Sequence, residues 1–361
     1  MKTSRFNRRR LVLAGSAAAI AAPYLTSMGV SAQDAITATM VTDTAGIGDQ
    51  SFNDMANEGG LRAAEELGVT FNVLESQTAA DYVRNLTDAA ESGDITLGIG
   101  FLLTDALTEV AAMYPDHAFA LIDSVVEADN VVNYLFREQE GAFLAGVIAA
   151  LTTQTNQIGF VGGIRIPPVM RYEVGYVAGA RSVNPEIDIA IAYADDFEDP
   201  DTGKELSLAQ YNQGADVVHA AAGRTGVGAF DAAIEKGEGF WVIAADRDQA
   251  SLGEDFQLAA VIKGIDTGVF DSIQSVQEGT FAGGTHNLGI ADNGISLGAI
   301  HGSTSDETMA VIEAYSTAIA AGAIVPPVDD ETLESFELVG PDDIPAGDAT
   351  PEEDGEATPA S

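Results

Sequence analysis

Four side chains able to engage a ligand each stand just beyond a short apolar run that reads as a β-strand. Phe52, in Asp49-Gln50-Ser51-Phe52-Asn53, follows residues 36–41; Asp123 follows 118–122; Phe197 follows 187–193; Asp246 follows 241–245. Side chains at the carboxyl ends of parallel strands face the crevice where open α/β sheets bind ligands. The chemistry on offer is stacking and hydrogen bonding: two aromatic faces, the Asn53 amide and two carboxylates. That set suits a small polar ring compound better than a phosphate. Each residue also has a local alternative. Asp123 and Asp246 can instead cap the following helix, and Phe197, an aromatic among the charges of 195–201, can fold back onto the core. Asp49 reads as a residue that shapes its loop or caps a helix. Recurrence of the pattern in two halves favours a shared cleft.

Signatures of covalent or metal chemistry are missing. The chain has no cysteine, which excludes disulfides, thiolate catalysis and attachment of a lipid through a thiol. His117, His219, His286 and His301 are not spaced as a metal pair, and there is no Gly-x-Ser-x-Gly elbow or P-loop. The acidic stretch 195–201 lacks the ligand order and glycine of a calcium loop. Gly223-Arg224-Thr225-Gly226-Val227-Gly228 does not have the dinucleotide spacing; a tight turn and a close backbone approach to a ligand both remain open. Asp246-Arg247-Asp248 is the nearest thing to a hydrolytic site, and it lacks a positioned nucleophile. No catalytic residue, metal or cofactor is expected.

The elements that must position these residues alternate. Strands are expected at 36–41, 70–74, 95–100, 118–122, 131–134, 157–161, 187–193, 217–220, 240–244 and 258–262. Helices are expected at 55–67, 79–91, 104–113, 138–151, 170–182, 204–213, 226–235 and 264–278. Short apolar runs separated by amphipathic stretches argue βαβ units and parallel sheets. The Ala- and Gly-rich helix at 138–151 is suited to close packing. Two α/β halves are expected; a single eight-unit barrel is the competing architecture.

Residues 1–32 read as an export signal: a basic start, an apolar stretch too short for a comfortable span, and Val30-Ser31-Ala32 as a cleavage site. Arg8-Arg9-Arg10-Leu11-Val12 is twin-arginine-like. An uncleaved anchor is the alternative. This segment holds five of the 16 basic residues and no acidic one, leaving 11 basic against 56 acidic beyond it. Nucleic acid and anionic membranes are therefore poor partners. Lys204, Lys236 and Lys263 are the only lysines after residue 32, so each stands out. Residues 342–361, rich in Pro, Ala and acids, are expected to be a disordered tail.

Ordered motifs extend these readings. Asp49-Gln-Ser-Phe-Asn53 resembles the Asp-x-Ser-Phe-Asn motif of the basic membrane protein family, substrate-binding proteins of ABC transporters, several of which bind purine nucleosides. Gly98-Ile-Gly-Phe101, Phe136-Arg-Glu-Gln-Glu140, Ile158-Gly-Phe-Val-Gly-Gly163, Ile166-Pro-Pro-Val-Met-Arg171, Gly175-Tyr-Val-Ala-Gly179, Phe197-Glu-Asp-Pro200, Gly203-Lys204, Gln213-Gly-Ala-Asp-Val217 and Asp246-Arg-Asp-Gln249 follow in order. Two features depart from the pattern: no cysteine is available for acylation, and Gly223-Arg224 stands where relatives have Gly-Gly.

The resemblance implies an α/β fold of the type I periplasmic-binding-protein kind, two Rossmann-like lobes with three crossover strands and a cleft between them. Lobe one would be 36–130 plus 264–283, and lobe two 131–262 plus 285–327. It implies that Phe52 and Phe197 sandwich a base, that Asp123 reads the base edge with Asn53, that Asp246 and Lys263 hold the ribose, and that Gly226 lets the backbone approach the sugar. The expected protein is an exported monomer on the periplasmic or outer face of the membrane. It would deliver a nucleoside to an ABC permease and meet the membrane only through that permease or an uncleaved amino-terminal segment. A sugar or a short acylated peptide is the alternative cargo, and a nucleoside-processing enzyme the alternative class.

Overall fold

A computed structural model describes residues 35–301 and 304–345. The expected export signal lies outside the described residues. In chain order the fold opens with β1 (Thr37–Val41), α1 (Phe52–Leu67), β2 (Thr70–Leu74), α2 (Tyr82–Ser92), β3 (Ile95–Ile99), α3 (Thr104–Met113), β4 (Ala118–Ile122) and β5 (Val131–Phe136). α4 (Glu138–Thr152) leads to β6 (Gln157–Gly162), α5 (Pro167–Val183), β7 (Asp188–Tyr193), α6 (Pro200–Gln213), β8 (Val217–Ala221), α7 (Val227–Lys236), β9 (Trp241–Asp246), α8 (Ala250–Gly253) and β10 (Gln257–Lys263). α9 (Ile265–Gln277), β11 (Gly284–Leu288), β12 (Ile295–Gly298), α10 (Asp306–Ala320) and α11 (Asp330–Glu334) complete it.

Two six-stranded sheets result, in the orders β11-β5-β4-β3-β1-β2 and β12-β10-β9-β8-β6-β7. Every pairing is parallel except β10 with β12. Two open sheets rule out the barrel. Of the strands that are buried throughout, β3 reads as an unbroken apolar or small-residue run and β8 as one interrupted by the buried His219, as strands covered on both faces do. The chain passes between sheets three times: through α4, through α9, and in the short link from β11 to β12.

Those crossings correct the expected lobe boundaries. β5, expected in lobe two, belongs to the first sheet, where Val131 pairs with Phe119 of β4. β11, also expected in lobe two, lies on the outer side of β5. The reason is burial: five of the six residues of β5 are inaccessible to solvent, and such a strand needs a ladder on both edges. The crossings therefore fall after Phe136, Lys263 and Leu288 rather than after residue 130.

Missing side chains let the helices pack closely. A Cβ on Gly146 of α4 would stand 2.1 Å from the Tyr176 carbonyl oxygen of α5, and one on Gly179 of α5 would stand 1.9 Å from that of Phe143. The carboxy-terminal segment is also more ordered at its start than expected. Pro341–Asp343 forms a 3-10 turn and Ile344 packs against the main core. The tail from residue 346 lies outside the described residues. Among the described residues, no helix is long and apolar enough to cross a membrane.

Candidate ligand cleft

The carboxyl ends of strands from both sheets converge on one cavity of about 570 Å³, its open mouth included. Phe52, Asn53, Asp123, Phe197, Asp246 and Lys263 all line it. Gly226, the seventh expected site residue, does not. It is buried at the start of α7, and a Cβ there would meet only Ala220 and Ala222 at ordinary contact distances. Gly223, with a φ of 56°, lines the cavity from that turn instead, and Arg224 points to solvent.

The lobe-one wall is built around the start of α1. Asp49 accepts hydrogen bonds from the backbone N–H groups of Ser51 (2.9 Å), Asn53 (2.7 Å) and Asp54 (3.1 Å). A helix start leaves such donors without intrahelical partners. With Asp49 satisfying them, α1 begins at Phe52 rather than at residue 55. Phe52 and Asn53 are thus held in the first helical turn and not on a free loop. Asn53 Nδ2 donates to Asp43 Oδ1 at 2.9 Å and to Asp49 Oδ2 at 3.2 Å, while its Oδ1 is buried without a partner. Asp43 is a site residue that the motif reading passed over. It follows β1 by two residues and so obeys the same strand-end rule that picked out Asp123. Burial pushes the carboxyls of Asp43 and Asp49 up to about 6.

The lobe-two wall is tied to lobe one. Asp123 and Asp246 stand at equivalent places, after β4 and at the end of β9, with left-handed φ values of 70° and 68°. Asp is one of the few side chains that adopt this conformation readily. The twist turns both carboxylates into the cleft; neither makes the helix-capping bond that was its local alternative. Asp246 Oδ2 accepts from Ser51 Oγ of lobe one at 2.7 Å, and its Oδ1 accepts from Tyr172 OH at 3.1 Å. Tyr172, on α5, also lines the cavity; no sequence signal beyond its motif marked it out. At the rim, Gln249 Nε2 donates to the Gln50 carbonyl (2.7 Å) and Arg247 pairs with Glu58 (2.8 Å). Phe197 lies in the stretch after β7, packed against Gly163: a Cβ there would stand 2.3 Å from the ring. Gly100 gives Phe52 similar but looser room, its Cβ position lying 3.4 Å from the ring.

Lys263 closes the arrangement. Its ammonium, on a side chain about 1% exposed, stands 2.6 Å from Asp123 Oδ2 and 2.8 Å from Glu138 Oε1, and 5.2 Å from the centroids of the Phe52 and Phe136 rings. Burial alone would favour loss of its proton; Asp123, Glu138 and Asp246 outweigh burial and raise its pKa. Glu138 is likewise penalised by burial, yet Lys263 and Arg171 together hold its carboxyl below the usual range. For Asp123 burial wins over the attraction of Lys263, and its carboxyl rises to about 6. Lys263 is the one cation among the lining residues, against the carboxylates of Asp43, Asp49, Asp123 and Asp246. Among the described residues no cluster of His, Asp and Glu is arranged to hold a metal ion.

Two α/β lobes crossed three times by the chain, with a ligand-sized cleft between strand ends, define a solute-binding protein of the type I periplasmic class. The family model for Bmp, the PnrA-like ABC transporter substrate-binding proteins, matches residues 36–329, and the chain belongs to that family. An ABC transporter nucleoside-binding protein, BmpA, of Lactococcus lactis subsp. cremoris is 37% identical over 313 residues, 80% of this chain and 88% of that protein. A CD4+ T-cell-stimulating antigen of Listeria monocytogenes is 38% identical over 313 residues, 81% and 88% of the two chains. A solved solute-binding protein of an ABC transporter system from Aeropyrum pernix K1 superposes with a TM-score of 0.76 at 31% identity, covering 83% of this chain and 96% of that one. The chain is the substrate-binding component of an ABC transporter.

Proposed function

We propose that the cargo is a nucleoside, with a purine as the base, and that the protein is exported and hands this cargo to its permease outside the cytoplasmic membrane as a binder rather than an enzyme. The observation that carries this reading is the composition of the cavity wall: two aromatic rings from each lobe, Phe52 with Phe101 and Tyr172 with Phe197, an amide and carboxylates beside Phe52, and a carboxylate with a buried ammonium at the lobe boundary. A nucleoside has a flat apolar face, a polar edge and a vicinal diol, and carries no charge. Phe52 and Phe197 take the face. Asn53 and Asp43 take the edge, where ionised carboxylates suit a base presenting N–H donors. Asp246 and Lys263 take the diol, and Asp123, expected at the base edge, joins them because it is paired with Lys263 at 2.6 Å. With a single cation among several carboxylates, the wall disfavours a phosphate, which calls for Arg or Lys clusters. The 37% identity to a protein named for nucleoside binding supports the same cargo.

Calorimetry with inosine, guanosine, adenosine, uridine and ribose tests the proposal. At least one purine nucleoside should bind far below millimolar, and ribose alone should not. Phe52→Ala and Phe197→Ala should each cost about 1–3 kcal/mol of nucleoside affinity. Binding of free ribose as tightly as of any nucleoside would replace this reading with a sugar cargo.

A further inference from the structure

Lys263 has three N–H donors and faces two carboxylates, only one of which belongs to the cleft. Asp123 lines the cavity; Glu138 lies behind the lysine and does not. Glu138 is fully buried as the first residue of α4, where the chain first crosses between lobes, and Lys263 is the last residue before the second crossing. Its other oxygen accepts from Arg171 Nε at 2.6 Å, so the carboxylate is gripped from both sides. The same motif is stitched to the third crossing: Arg137 pairs with Asp292, and Glu140 accepts the Ile290 N–H at 2.7 Å. Glu138 is therefore fixed in a block where the three interlobe connections meet. A lysine stem is flexible and its ammonium rotates. With one donor facing Asp123 and one facing Glu138, a third remains for the cavity that Lys263 lines.

We propose that Glu138, held by Arg171, is the positioning residue that aims the Lys263 ammonium into the cleft, and so determines how strongly the site discriminates a ligand's hydroxyl pair without touching the ligand. Asp123 sits on lobe one and must part from Lys263 when the lobes separate; Glu138, at the crossing itself, keeps the ammonium in place meanwhile. The inference rests on the nucleoside reading for its ligand, but its first test does not need a ligand.

Lys263 is one of three lysines beyond residue 32, so its ¹⁵N-labelled ammonium can be followed by NMR without crowding. In the unaltered protein it should exchange with water slowly. In Glu138→Gln, an isosteric change, and in Arg171→Lys, which keeps the charge but loses the Nε contact, exchange should speed up by tenfold or more. Second, the preference for a purine ribonucleoside over its 2′,3′-dideoxy form should shrink at least threefold in both variants, while the preference for purine over pyrimidine stays unchanged. An unaltered exchange rate and unaltered hydroxyl preference in either folded variant overturns the proposal. Equal weakening of every ligand overturns it too, because that is what loss of packing alone would do. If the unaltered protein binds no nucleoside, the cargo reading fails and the exchange measurement still decides the role of Glu138. Should Glu138→Gln fail to fold, Arg171→Lys carries both measurements.

Discussion

The two walls of the cleft carry the same kinds of group and hold them differently. On the lobe-one wall, Asp43, Asp49 and Asn53 bond to one another and to the start of α1, all within lobe one. On the lobe-two wall, Asp246 takes a bond from Ser51, and Lys263 pairs with Asp123, both partners lying across the cleft. The bonds of the first wall do not need the second, whereas one bond each of Asp246 and Lys263 is made only on closure. The lobe-one groups can thus be in place before the lobes meet, and the contacts that Asp246 and Lys263 make across the cleft are assembled afterwards. Domain closure around a ligand works in this way when the open form already presents one half of the site.

The largest test of this asymmetry removes the bond that joins the walls. Lys263→Met leaves Asp123 and Glu138 buried without their shared cation, and should destabilise the protein by about 3–5 kcal/mol in denaturant titration. A loss below 1 kcal/mol would mean that the two walls are not coupled through this ammonium. Next comes the pH dependence of the self-contained wall. The Asp43 carboxyl rises from 3.8 to about 6 on folding, so between those values the folded state binds more protons than the unfolded one. Stability from this group should therefore decrease as pH rises from about 4 to about 6 and stay lower above that. The size is roughly 3 kcal/mol. Asp43→Asn should remove this share of the slope in melts run across this range, leaving the like shares of Asp49 and Asp123 and the contacts between lobes. The smallest effect belongs to Ser51→Ala. Asp246 keeps Tyr172 as a partner, so the loss should be about 1–2 kcal/mol of closure. It should appear as weaker ligand affinity and a more open ligand-free shape in solution scattering, with an unchanged melting temperature for each lobe's own unfolding step.

Much of this was legible in the chain, because the rule that ligands sit at the carboxyl ends of parallel strands is geometric. Phe52, Asp123, Phe197 and Asp246 all obey it, and all reach one cavity. Asp43 obeys it too, but it belongs to no distinctive motif of its own, and the Asp49–Asn53 motif begins six residues later. Gly226 failed for a different reason: the turn it belongs to faces the cavity through Gly223, and periodicity does not say which glycine of a turn is innermost. β11 is not marked because four of its five residues, Gly284, Thr285, His286 and Asn287, are exposed, so it carries no apolar run. β5 was assigned to the wrong lobe because sequence order does not reveal which sheet a crossover strand joins. The start of α1 was misjudged because Asp49, outside the helix, supplies bonds that no local propensity scale counts.

Gly100 and Gly163 carry a consequence for how such a protein changes its cargo. Each lies against one of the two rings, so the place of each ring depends on an absent methyl group. The two are protected differently. At Gly163 the backbone is ordinary and space is the obstacle, since a methyl would lie 2.3 Å from the Phe197 ring and 3.2 Å from the Asp196 carbonyl oxygen. At Gly100 there is nearly room, but a φ of 106° is one that residues with a side chain rarely adopt. Gly163→Ala therefore has to displace the Phe197 ring and Gly100→Ala has to strain the backbone, so neither position changes without a cost.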